Sequence, residues 1–371
     1  MPEITLPFEN GSRPVRIDRG CAYAKPATAL TSRVAFAAAH VVPGRSGIDW
    51  DKTLEFRRHL WSYGLGVAEA MDTAQRGMGL GWEQARELIA RSLDAAEGLV
   101  ACGAGTDQLR RDATLDGIIA AYEEQCEWIE SRGGRVILMA SRALARAAKS
   151  PADYLAVYSR ILSGLSRPAI LHWLGEMFDP QLAGYWGSAS VEGAMETALA
   201  LIQQHASRID GIKISLLDAG REVEMRRRLP PGVRMYTGDD FHFAALIGGD
   251  GEFHSDALLG IFDAIAPAAS AAIQALDAGR REEFDRILAP AVALSRLIFE
   301  APTYHYKTGI VFLAWLNGHQ REFRMVGGYE SARDLAHFSK LLVLAEQAGV
   351  LADPELACNR METLLVNAGA R

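Results

Sequence analysis

The sequence of 371 residues has little cysteine, no long apolar run and no block of one charge. Its four cysteines, Cys21, Cys102, Cys126 and Cys358, stand apart without CxxC or CxxH spacing. That excludes a disulfide framework or a zinc knuckle and fits reduced thiols in a cytoplasm. No stretch approaches the ~20 apolar residues of a membrane span, and "MPEITLPFENGSRPVRIDRG" holds no apolar signal core. Net charge is −7, and the one arginine triplet, in "MRRRLP" at 225–230, reads as a solvated helix end. Neither a nucleic-acid partner nor a membrane is expected from this balance. No GxGxxG follows the first apolar run, since "GRSG" at 44–47 is a different pattern, which removes the main argument for a dinucleotide fold. Pro/Gly/Ser linkers and low-complexity stretches are also missing.

What is present is a rhythm. Short apolar or small-residue runs occur at 32–42, 64–73, 98–105, 135–141, 168–174, 210–216, 233–240 and 251–258. Between them lie segments of helical period. In "WEQARELIARSLDAAE", Ala85, Leu88, Ile89, Leu93 and Ala96 share one stripe. Near-continuous apolar strands suit a parallel sheet covered on both faces. Eight such units predict a (β/α)8 TIM barrel. Past the last run the sequence is helical. The expected organisation is an N-terminal extension over 1–31, a barrel over 32–275 and a helical C-terminal region over 276–371 packed on it.

One of these runs, "DGIKISL", carries a lysine in its middle. Alternation along a strand sends Ile212, Ile214 and Leu216 one way and Gly211, Lys213 and Ser215 the other, into the barrel. Burial disfavours the ammonium, and a neutral amine is a nucleophile that forms a Schiff base with a carbonyl. The plainer alternative is a lysine that reaches the rim and pairs with Asp210 or Asp218.

The stretch "DGIKISLLD" resembles the lysine strand of the class I aldolase family that contains dihydrodipicolinate synthase and N-acetylneuraminate lyase. "YTGDDFHFAALIGGDGEFHS" at 236–255 resembles that family's strand-seven to strand-eight segment. "YHYKTGIVFLAWLNG" at 304–318 is similar to a late helix of the family, and "AAAHVVP" at 37–43 to its first strand end. The resemblance implies a TIM barrel, Lys213 as Schiff-base nucleophile, no organic cofactor, and a homodimer or homotetramer. The departures are as informative. Where the family carries a Thr-Thr-Gly-Glu-like turn this chain has "GVAEAMDTAQRG". In place of the tyrosine after strand four stands "LMASRALARA", and the strand-five tyrosine motif reads "HWLGEM". The chain is therefore identified as a divergent branch, of the domain-of-unknown-function kind.

In a TIM barrel the chemistry lies at the carboxyl ends of the strands. His172 stands where the family has its strand-five tyrosine, and Tyr236 ends the seventh run; these two are the candidate proton carriers beside Lys213. Asp72, Arg142, Asp239, His254 and Ser255 are the candidate substrate-binding residues, Asp72 preferred over Glu69 as nearer the strand end. The expected function is a cytoplasmic Schiff-base aldolase or hydro-lyase acting on a small carbonyl compound, a keto acid or a sugar-derived substrate, with no metal. The alternative is a divalent-metal isomerase or aldolase drawing on Glu69, His172, Glu176, Asp239 and His254, although no HxH or HExxH spacing supports it. A third class is a non-enzymatic scaffold or sensor that kept the barrel.

Overall fold

Each of the eight runs forms a strand. The computed structural model describes residues 2–109 and 112–370. Two strands at the start, β1 (Glu3–Phe8) and β2 (Gly11–Arg16), make an antiparallel hairpin outside the barrel. The barrel strands are β3 (Ala35–Ala38), β4 (Gly66–Glu69), β5 (Val100–Ala104), β6 (Arg135–Leu138), β7 (Ala169–Leu174), β8 (Ile209–Ser215), β9 (Arg234–Thr237) and β10 (Asp256–Leu259). They pair in parallel in the order β10-β3-β4-β5-β6-β7-β8-β9 and close on themselves. Closure leaves no unpaired edge.

Alternation divides the strand residues between two packing layers. Phe36, Ala38, Ala68, Ala101, Ile137, Ile170, Tyr236 and Leu258 fill the lumen. Val67, Cys102, Leu138, Leu171, Ile212, Ile214 and Met235 face outward into a much larger cluster shared with the helices. Fully burying one such aliphatic side chain stabilises the fold by about 1.5–3 kcal/mol. The intervening helices start at side-chain caps that the sequence supplies: Asp49 accepts from Lys52 N–H, Thr114 from Gly117 N–H and Ser190 from Gly193 N–H.

Register fixes what shares a layer with Lys213. His172 of β7 and Tyr236 of β9 are its partners on either side. After β10 come the helices Ala266–Asp277, Arg281–Ile298, Tyr306–Leu316, Leu335–Gln347 and Pro354–Asn367. The N-terminal hairpin rests on Leu335–Gln347, where Lys340 meets Glu9 at 2.7 Å. Among the described residues, no helix is long and apolar enough to cross a membrane.

Candidate active site at the carboxyl end of the barrel

Lys213 points into the lumen from the sixth barrel strand and is 7% exposed. Neither rim partner considered from the sequence holds it. Asp210 sits at the opposite end of β8, where it accepts from Tyr236 Oη at 2.6 Å, and Asp218 caps the next helix through Arg221 N–H. Among the described residues, the Lys213 amine makes no hydrogen bond or ion pair. Burial holds it below the ordinary lysine range, against the opposing pull of the negative charges of Asp240 and Asp72. Its stem lies against Gly238, where a Cβ would stand 2.7 Å from Lys213 Cε and 2.3 Å from Ser215 Oγ. Only glycine allows the strand end after β9 to approach this closely.

Asp240 stands two residues past that glycine. It accepts from Ile261 N–H at 2.9 Å and is 4% exposed. Burial pushes its carboxyl up to about 7, although the Ile261 amide and the Lys213 charge both pull it down. The mouth thus holds a buried amine and a buried acid whose proton affinities have been drawn towards each other.

The loop after β4 supplies Asp72 and Thr73. β4 ends at Glu69, whose carboxylate is locked outside the barrel by Arg57 at 2.8 and 2.9 Å and by Ser92. Ala70 then takes a left-handed conformation (φ 54°), which turns Met71 and Asp72 towards the mouth. Such a conformation costs a non-glycine residue on the order of 1 kcal/mol. Arg76 holds the bend, donating to the carbonyls of Ala70 and Gly103 and pairing with Asp107 at 2.7 Å.

The helix Tyr306–Leu316 brings a phenol and a second amine from the C-terminal region. Tyr306 Oη lies 3.0 Å from Thr73 Oγ1, and its ring stacks on Phe299 with centroids 4.5 Å apart. Burial pushes its ionisation far above the ordinary phenol range, and the charge of Asp72 adds to this. Lys307 is 3% exposed, its ammonium 4.4 Å from the Tyr306 ring centroid and 5.2 Å from that of Tyr304. Burial lowers it to about 8, against the opposing charges of Asp72 and Asp179.

Two spaces meet here. A crevice of about 10 Å³ is lined by Lys213, Asp240, Asp72, Thr73, Tyr306 and Ser215, and is roofed by Leu174 and Phe178. It holds roughly one water. Asp72 and Leu174 also border a pocket of about 330 Å³. That pocket carries Arg142, paired with Asp179 at 2.5 Å, and the hydroxyl pair Thr106 and Ser141 at 2.6 Å. Its volume suits a small metabolite.

The structure therefore brings together Lys213, His172, Asp72 and Arg142 among the residues anticipated from the sequence. His172 is buried beside Lys213; its Nε2 is 3.4 Å from Ser215 Oγ and its Nδ1 has no partner. Burial, reinforced by the lysine charge, drives it well below the usual imidazole range, so it stays neutral. Asp239 lies at the strand end but turns away, accepting from Phe241 and His242 N–H and pairing with His242 Nδ1 at 2.9 Å.

Three anticipated positions need correction. Tyr236 faces the lumen, yet its hydroxyl runs to the amino end of the barrel, because its ring lies over the empty face of Gly211 and its hydroxyl donates a hydrogen bond to Asp210. His254 and Ser255 precede β10 rather than follow a strand, since the last strand begins only at Asp256. Ser255 is bound in the helical layer by Glu222 at 2.7 Å and Arg226 at 3.2 Å, and His254 is exposed near the opposite mouth. Of the ligands of the metal reading, Glu69 faces the helices and His254 the far end. Among the described residues, no group of three or more His, Cys, Asp or Glu could hold a metal ion.

Tyr306 and Lys307 do not stand out in the sequence as site residues, and Asp240 and Thr73 do so only as members of the ring of polar residues at the strand ends. For Asp240 the pattern was readable: in "GDDFH" the first aspartate makes the turn by capping two amides and leaves the second free. No local pattern could have placed Tyr306, whose position depends on how a remote helix packs.

The family described as "Protein of unknown function (DUF993)" matches residues 4–370. No curated protein matches the sequence. Among solved structures, dihydrodipicolinate synthase from Aquifex aeolicus is similar, with a TM-score of 0.67 at 13% identity over 86% of this chain and 99% of that one. YagE, a prophage protein of the dihydrodipicolinic acid synthase family from E. coli K12 solved in complex with pyruvate, gives a TM-score of 0.66 at 15% identity, covering 86% and 99%. The synthase from Thermotoga maritima gives 0.65 at 15%, again covering 86% and 99%. At such identities the likeness is one of fold alone: the closed eight-stranded parallel barrel with its helices.

Proposed function

The chain belongs to the family described as "Protein of unknown function (DUF993)", and from its barrel we propose that it is a lyase of the Schiff-base aldolase type, acting on a small carbonyl compound with Lys213 as the nucleophile. The observation that carries this reading is the amine itself: buried in the lumen, held below its ordinary range, and placed where a crevice meets a small-molecule pocket. A structural lysine of this kind would be a cost without a partner.

In the proposed sequence the substrate occupies the larger pocket and presents its carbonyl past Leu174 to Lys213. The neutral amine attacks the carbonyl carbon. The carbinolamine oxygen then takes a proton from Asp240 and leaves as water, giving the iminium. Asp72 accepts the proton of a hydroxyl β to the iminium carbon, the C–C bond breaks, the carbon bearing that hydroxyl leaves as an aldehyde or ketone, and the bonding electron pair collects as an enamine. Tyr306 works as a phenol, relaying a proton through Thr73. Asp72 returns its proton to the enamine carbon, and attack of water on the iminium releases the second carbonyl product and the amine, with the surplus proton going back to Asp240. Neutral His172 packs beside Lys213 without adding a competing charge. Arg142, with Arg76 and Arg146, gives the pocket its positive side, which suits an acid group on the substrate.

No organic cofactor or metal is used in this scheme. Free cysteines are consistent with a cytoplasmic setting, and assembly as a homodimer or homotetramer is part of the same proposal.

The test is borohydride trapping with a panel of keto acids and ketoses, pyruvate included because YagE binds it. A substrate-dependent mass shift on Lys213, absent in Lys213→Ala and unaffected by exhaustive chelation, is the expected result. Trapping on another lysine, or activity that chelation abolishes and a divalent metal restores, would overturn it.

A further inference from the structure

A third space, of about 710 Å³, lies in the C-terminal helical region, away from the barrel mouth. It is a groove between the helices Leu335–Gln347 and Pro354–Asn367 and the loop of residues 321–334. Its floor is aromatic. Trp315 and Phe323 stack with centroids 5.7 Å apart, and Phe338 meets Phe323 edge-on at 5.3 Å; Leu335 and Leu364 complete the apolar surface. Both size and lining fall in the range of small-molecule sites.

The charges on the rim are unevenly used. Each of its three carboxylates already has a partner: Glu322 pairs with Arg324 at 3.8 Å, Glu330 accepts from Met325 N–H at 2.5 Å, and Asp334 accepts from His337 N–H at 2.8 Å. Two cationic groups have donors to spare. Arg321 makes no ion pair or hydrogen bond among the described residues. Arg333, whose side chain is only 7% exposed, pairs with Glu300 at 3.9 Å but leaves its buried Nε without an acceptor. An apolar trough with unspent guanidinium donors and satisfied acids is complementary to a molecule with one anionic end.

Arg333 also faces the other way. Its terminal nitrogens donate to the carbonyls of Glu300, Ala301 and Pro302 at 2.7, 3.2 and 3.0 Å. That segment leads directly into Tyr304, Tyr306 and Lys307. Thr308 Oγ1, on the same helix, donates to Tyr329 O at 2.9 Å, a second tie between the groove's loop and the mouth. An anion that reoriented Arg333 would therefore change the bonds that hold the start of the helix Tyr306–Leu316.

We propose that this groove is a binding site for a small amphipathic carboxylate, its apolar part on Trp315, Phe323 and Phe338 and its acid at Arg321 and Arg333, and that its occupancy is transmitted through Arg333 to the segment 300–307.

The probe is 3-phenylpropionate, with uncharged 3-phenylpropanamide as its control, titrated into the full chain by calorimetry. The acid should bind saturably and at least about tenfold more tightly than the amide. Arg321→Ala, at an exposed position, should weaken the acid and leave the amide unchanged; Leu364→Trp, which fills the trough, should remove both. Hydrogen exchange over 299–308 should change on adding the acid to the wild type and not in Leu364→Trp. Equal binding of acid and amide, binding that survives Leu364→Trp, or unchanged exchange over 299–308 would overturn the proposal. So would a doubling of mass that abolishes binding, since the groove would then be an interface between two copies. None of these measurements reads catalysis, so they stand or fall apart from the lyase reading.

Discussion

At the scale of single residues, the site turns on Lys213 and Asp240. Both are buried, and burial alone moves the amine down and the acid up. The carboxyl at about 7 is matched to proton transfer near neutrality. Asp240→Asn should lower turnover by about 10²–10⁴-fold and remove the ionisation near neutral pH from the rate profile, read by kcat against pH. A profile unchanged in shape would show that another group carries the proton. Gly238→Ala tests the geometry from the other side. The new Cβ would meet Ile214 O at 2.6 Å as well as the lysine stem, and a backbone oxygen cannot move aside. Trapping on Lys213 should be lost, together with roughly 1–3 kcal/mol of stability in a urea melt. Lys213 was legible because a strand's alternation decides its face. Asp239 and Asp240 are the same residue type side by side, so the sequence does not separate them; the turn that Asp239 makes with Phe241 and His242 does.

At the scale of elements, all eight barrel strands were legible, because a buried parallel strand is a run of small and apolar residues and little else produces that rhythm. The ends were less so. The last run reads as a strand from 251, but "GEFHS" is the loop before it, so His254 and Ser255 appeared at the wrong mouth. Tyr236 misled for a different reason: a strand's face can be read, but not whether a long ring tilts up or down the lumen, and here Gly211 decides it. The helix Tyr306–Leu316 is the element the site depends on most. Tyr306→Phe keeps the ring on Phe299 and deletes the bond to Thr73, so turnover should fall about 10²-fold while borohydride trapping on Lys213 persists. Loss of trapping as well would make the phenol part of imine formation rather than of the later proton transfers.

The helix Ala219–Arg228 shows what an element can hold outside the mouth. Glu222 is buried between Thr237 Oγ1 at 2.9 Å and Ser255 Oγ at 2.7 Å, and burial raises it to about 8. The folded protein therefore keeps a proton that the unfolded chain releases near 4.5. Stability from this group is complete below pH 4.5 and is lost as pH rises towards 8. Glu222→Gln resembles the protonated acid and lacks the titration. It should match the wild type at pH 4.5 and exceed it by on the order of 5 kcal/mol above pH 8, in urea melts across that range. A constant difference at every pH would place the proton elsewhere.

At the scale of the whole molecule, the C-terminal helices belong to the core that builds the barrel wall. Phe284, Leu288, Leu294, Phe299, Phe312 and Leu313 lie in the same continuous apolar cluster as Val67, Leu138 and Ile214. Ser295 Oγ donates to the carbonyl of Asp240 at 2.5 Å, so the helix Arg281–Ile298 holds the backbone of the acid that faces Lys213. The N-terminal hairpin joins the same cluster through Ile4 and Leu6. A chain ending at residue 275 would keep every barrel strand and the lysine. It would also bare the wall those helices cover and lose Tyr306, Lys307 and the support of Asp240. Burial scales with the apolar area removed from water, and an exposed patch well beyond a few hundred Å² is an aggregation surface. The expected behaviour of the 1–275 fragment is therefore a loss of near-ultraviolet circular dichroism and of a cooperative urea transition, with dye binding to exposed apolar surface. A fragment that unfolds in one sharp transition and still traps a carbonyl on Lys213 would show instead that the barrel is an independent unit, with the C-terminal helices added to it.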